Sequence, residues 1–62
     1  MAGTHEMTMA EIAKFMNMRS EIAFRMFMNG DSQLALKQLN YVRLALNLAE
    51  ERITQQALKE AQ

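Results

Sequence analysis

The chain has 62 residues, seven bases against seven acids, half its residues apolar, no Cys, no Pro and two Gly. That length limits it to one domain, in a size range where only about 60% of the unfolded surface is buried on folding and where a staple, a metal or a partner chain is usually required. The absence of Cys removes disulfides and thiolate metal sites, the neutral charge argues against a nucleic-acid-binding face, and the apolar content argues against disorder.

The N-terminus, "MAGTHEM", lacks the charged start and apolar run of a signal peptide, and no apolar stretch approaches the roughly 18 residues of a membrane span. The expectation is a cytoplasmic chain with no membrane association. Residues 1–7 read as a flexible tail, and residues 8–62 as a helical hairpin. Thr8 fits an N-cap with Glu11 three residues on, the reciprocal pattern of a capping box. Met7 and Ile12 then take the two positions of a hydrophobic staple. The first helix is expected over about 9–28. It ends at "NGD", where Gly30 suits the left-handed position after a helix C-terminus. The turn covers 29–31, with Asp31 or Ser32 capping a second helix over about 32–58.

A short turn between long helices makes them antiparallel neighbours. Folding back at Gly30 sets Ile12 opposite about Leu48 and leaves α-helical overhang at the far end. Ile53, Ala57 and Leu58 lie in that overhang.

The second helix carries a heptad stripe, Ala35, Leu39, Val42, Leu46, Ala49 and Ile53, with the alternating spacing of a coiled-coil seam. A second strip, Leu34, Tyr41, Leu44, Ala45 and Leu48, lies beside it. The first helix is broader. In "FMNMRSEIAFRMFMNG" nine of sixteen residues are Phe, Met, Ile or Ala. Ile12, Phe15, Met16, Ile22, Ala23, Met26 and Phe27 form one wide face. Met18 extends it on one side, and Ala13 and Phe24 extend it on the other.

One neighbouring helix covers a stripe, not two-thirds of a circumference. The fold expected is therefore an all-α, two-helix antiparallel hairpin that dimerises into a four-helix bundle. Met16 and Met26 point toward the seam. Met18, Met28 and Phe24 lie off it and suit the adaptable partner contacts that flexible thioethers make. The interface set is Phe15, Met18, Arg19, Ile22, Phe24, Met28, Tyr41, Leu44, Leu48 and Ile53. Substituting Phe24→Glu or Met18→Glu is expected to disrupt association while helix content survives.

Arg19 stands in the middle of the apolar arc. Two readings apply: its stem packs on apolar surface while the head reaches water, or it pairs with a glutamate of a second chain.

No catalytic, metal or cofactor site is expected. His5 is the sole histidine and sits in the tail beside Glu6, whereas a metal site needs several converging ligands. Glu50 and Glu51 point about 100° apart on a helix. Neither a phosphate-binding glycine loop nor an HExxH spacing is present.

Other architectures fit less well. A ribbon–helix–helix repressor has a shorter first helix and a basic ribbon, a helix-turn-helix module needs a third helix, and RNA-binding hairpin dimers need a basic face. The stretch "NGDSQLALKQLNYVRLAL" has the pattern of one helical repeat, but a single repeat cannot bury its own face. A first helix, a Gly-Asp turn and a longer second helix over about residues 9–53 resemble the small hairpin co-chaperones of needle-type secretion systems. That resemblance is architectural; it implies a chain that needs a different partner for stability and assigns no residue roles.

The functional expectation is thus a small non-enzymatic protein-binding module of inhibitor, adaptor or chaperone type. It self-associates and contacts another protein through Met, Phe and Leu side chains. The alternatives are the co-chaperone just named and a nucleic-acid-binding regulator built on a dimeric hairpin.

Overall fold

The computed structural model describes residues 6–61. It contains two helices, α1 over Met9–Met28 and α2 over Ser32–Glu60, packed against each other. His5 lies outside the described residues.

Both ends of α1 follow from local chemistry. The Glu11 amide donates to Thr8 Oγ1 at 3.1 Å, and the Thr8 amide donates to Glu11 Oε1 at 2.7 Å. Two amides that no helical carbonyl can reach are satisfied in this way. Met7 packs against the cluster around Ile12, as a staple requires. At the other end Gly30 takes φ +87°. Its amide donates to the Phe27 carbonyl at 3.0 Å, and the Asp31 amide donates to the Met26 carbonyl at 2.8 Å. These two bonds form a Schellman motif, which reverses the chain within three residues.

Asp31 occupies the N-cap of α2, but its side chain makes no cap hydrogen bond. Its backbone, at φ −97° and ψ 64°, is held by the preceding turn away from the extended conformation that lets a cap side chain swing over the first amides.

The contact between the helices is narrow. The buried residues are Ile12 and Ala23 on α1, with Ala35, Ala45 and Ala49 on α2. Ile12 packs on Ala45 and Ala49, with Met7, Phe15, Met16 and Leu48 around it. This is the level expected from a fold-back at Gly30.

The seam on α2 differs from the heptad stripe in azimuth. Ala35 and Ala49 are buried and Val42 is half-buried, but Leu39, Leu46 and Ile53 are exposed. Likewise Phe27 is 62% exposed and stands outside the α1 core face. The reason is volume. Ile12, Phe15, Met16 and Met26 already fill most of the 8–10 Å available between helix axes. A line of buried alanines lies opposite them, with Val42 and Leu48 half-buried beside it.

The hairpin is one helical layer. Its radius of gyration is 14.9 Å, against about 10.5 Å for a compact chain of this length. At its open end α2 runs past α1, and Ile53 and Leu58 are 58% and 63% exposed. Arg52 reaches back to the segment before α1. Its guanidinium donates to the Met7 carbonyl and lies 3.4 Å from Glu6 Oε1. Glu6 and Met7 are thereby tied to the first turn of the overhang.

Candidate functional site

The line of contact divides the hairpin into two apolar faces. On one face, near the turn, Ala23, Phe24 and Phe27 of α1 and Ser32, Ala35, Leu36 and Leu39 of α2 line an open cleft of about 400 Å³. Ala23 and Ala35 form its floor, because both are buried in the seam. Phe24, Phe27 and Leu36 form its walls, each more than half exposed. No titratable side chain lines it.

The opposite face is built around Arg19. Its guanidinium lies 5.3 Å from the centroid of the Phe15 ring and 4.9 Å from that of Tyr41. The two rings meet edge to face at 6.4 Å, with an interplanar angle of 85°. One terminal nitrogen donates to Gln38 Oε1 at 2.9 Å. The Nε is buried and has no hydrogen-bond partner among the described residues.

The charge of Arg19 is thus held by two aromatic faces and a neutral amide, all within the hairpin. A cation over an aromatic ring at a site still open to solvent is worth about 0.5–1 kcal/mol, and the planar guanidinium suits such stacking better than an ammonium does. The stem-packing reading of Arg19 is seen in part, since the half-buried side chain lies against apolar rings. Gln38, which meets the guanidinium, carries no charge and lies nineteen positions away.

The expected interface residues separate into three groups. Phe15, Arg19 and Tyr41 assemble the aromatic–cation stack, with Ile22 half-buried on the same side of α1. Leu48 is half-buried against the Ile12 cluster and belongs to the hairpin core. Phe24, Met18, Met28, Leu44 and Ile53 are between 49% and 81% exposed.

Phe24 and Met18 do not share a face. Taking about 100° per residue, they lie on opposite flanks of the buried line through Ile12 and Ala23. The cleft residues Phe27, Leu36 and Leu39 fell outside the expected interface. Their signal is a repeated spacing on either side of Gly30: phenylalanines at i, i+3 before the turn and leucines at i, i+3 after it.

Among the described residues no group of three or more His, Cys, Asp or Glu side chains is placed to hold a metal ion. No helix is long and apolar enough to cross a membrane. Away from Arg19 and Arg52, the exposed Arg25–Glu21 pair at 2.7 Å adds about 0.3–0.5 kcal/mol. Comparison with protein families, curated proteins and solved structures finds none that matches this chain.

Proposed function

We propose that this chain is a non-enzymatic contact module. It self-associates into a four-helix bundle and offers Met, Phe and Leu side chains to another protein, in the manner of an inhibitor, adaptor or chaperone. One observation carries the reading. Among the described residues thirteen large apolar side chains are exposed, while the buried core holds one isoleucine and four alanines. Single exposed apolar residues are ordinary, but contiguous ones on two faces mark contact sites. A second observation supports the absence of catalysis. The cleft is walled by apolar side chains with Ser32 as its one polar side chain, whereas catalytic sites combine a pocket with several convergent polar groups.

The test is solution mass by light scattering across a dilution series, together with circular dichroism. A highly helical dimer is expected. A fully helical monomer at every concentration would show that the hairpin is complete alone and would sink the proposal. A weakly helical monomer would favour the co-chaperone alternative, in which a different chain completes the fold.

A further inference from the structure

We infer that the cleft face is where a second copy of this chain docks, with the two turns at opposite ends of the dimer. This rests on the self-association proposed above and specifies which face carries it and in which direction.

The exposed area is enough for an interface of standard size. The chain exposes 5285 Å² for a mass of 7.1 kDa. A typical folded monomer of that mass exposes about 4,100 Å². The excess, about 1,200 Å², exceeds the roughly 800 Å² that each partner contributes to a stable interface.

On α2 the cleft face continues well beyond the cleft. Leu39 lines the cleft, and Leu46 and Ile53 follow it at seven-residue steps, drifting only about 20° per heptad. All three are exposed. The other face is interrupted midway by the Arg19 guanidinium and Gln38, where a docking copy would desolvate a charge. The chain also carries no net charge, so identical copies approach without mutual repulsion.

Direction follows from side-chain size. On the cleft side of α1, Phe27, Ser20 and Ala13 recur at seven-residue steps, with Phe24 beside the first. The bulk is therefore at the turn and the small residues toward the N-terminus. With turns at opposite ends, α1 crosses the partner's α1 antiparallel. Ala13 and Phe24 lie equally far from the two ends of Met9–Met28, so each phenylalanine meets a small residue. On α2 the same operation brings Leu39 opposite about residue 44 of the second copy, roughly half a turn short of Leu46. With turns at the same end, Phe24 and Phe27 would meet leucines 36 and 39 of the other copy. The turn end would be overfilled and the far end left open, both of which destabilise a packed interface.

The experiment compares Phe24→Glu, Leu36→Glu and Met18→Glu with the parent by light scattering on dilution, with circular dichroism as the control for folding. Phe24 and Leu36 are 68% and 57% exposed, so glutamate is tolerated in the hairpin itself. Each of these two variants is expected to weaken the dimer by at least about 100-fold, since two buried side chains are lost per dimer. Met18→Glu, on the opposite face, is expected to leave it unchanged. A dimer insensitive to both cleft variants but broken by Met18→Glu would overturn the choice of face and leave self-association standing. A parent that is monomeric throughout would overturn both. Direction is read with Ser20→Cys in this cysteine-free chain. Oxidation to a covalent dimer supports opposed turns, because two copies of α1 then cross near their middles. Failure to link in a dimer that remains intact would overturn that arrangement.

Discussion

Replacing Ile12 by alanine tests the core most directly. Ile12 is 1% exposed and is the largest side chain that is fully buried. Truncations of this kind cost between about 2 and 5 kcal/mol, depending on how far the site collapses. Here the opposing wall is Ala45 and Ala49, which are short and fixed to the α2 backbone and cannot move inward. Met7 and Met16 are flexible and can fill part of the void. The expected cost is therefore in the lower half of the range, about 2–3 kcal/mol.

A chain of this length has about 3–9 kcal/mol of stability in total, so the variant loses a large share of it. For a domain of this size that corresponds to a fall in Tm of roughly 10–20 °C. The assay is urea unfolding followed by far-UV circular dichroism at one fixed chain concentration, because association shifts apparent stability. Leu58→Ala is the companion measurement. Leu58 stands in the overhang at 63% exposure and is expected to change stability by less than about 0.5 kcal/mol. Equal effects at the two positions, or a loss under about 1 kcal/mol at Ile12, would refute the location of the core.

Gly30→Ala tests the turn. Nothing lies within 4 Å of an added Cβ, so the whole cost is conformational, from φ +87°, and amounts to about 1 kcal/mol. Gly30→Asn is expected to cost less, because asparagine tolerates that region better; an unchanged denaturation midpoint in both would refute the Schellman geometry. Arg19→Lys is expected to lose about 1 kcal/mol by giving up the planar stack on Phe15 and Tyr41. A double-mutant cycle with Tyr41→Leu checks this, with a coupling of about 0.5–1 kcal/mol expected and a coupling near zero ruling the stack out as an energetic contact.

The elements and their ends were legible because each is decided by atoms a few positions apart. Thr8 and Glu11 cap one another across three residues. Met26, Phe27, Gly30 and Asp31 close the turn without help from the rest of the chain. Asp31 shows where this legibility stopped: the residue type suits a cap, but the backbone that would aim it is set by the preceding turn. The candidate site was legible as a class of surface and only partly as residues. Phe24, Met18, Met28, Leu44 and Ile53 are exposed, whereas the cleft that gathers Phe27, Leu36 and Leu39 takes shape only once the two helices are placed side by side.

Composition, periodicity and local capping by themselves determined an all-α hairpin, its turn at Gly30 and its surplus of apolar surface. Tertiary structure alone decided which apolar strip faces inward. Helices that are apolar on several sides can pair in several azimuths with similar buried area, and no local interaction distinguishes them. The choice is made across the pair, by the fit of Ile12 and its neighbours onto a line of alanines and by the Gln38 amide that meets Arg19. That rotation turns Leu39, Leu46 and Ile53 outward, and with them the surface on which the proposed function depends.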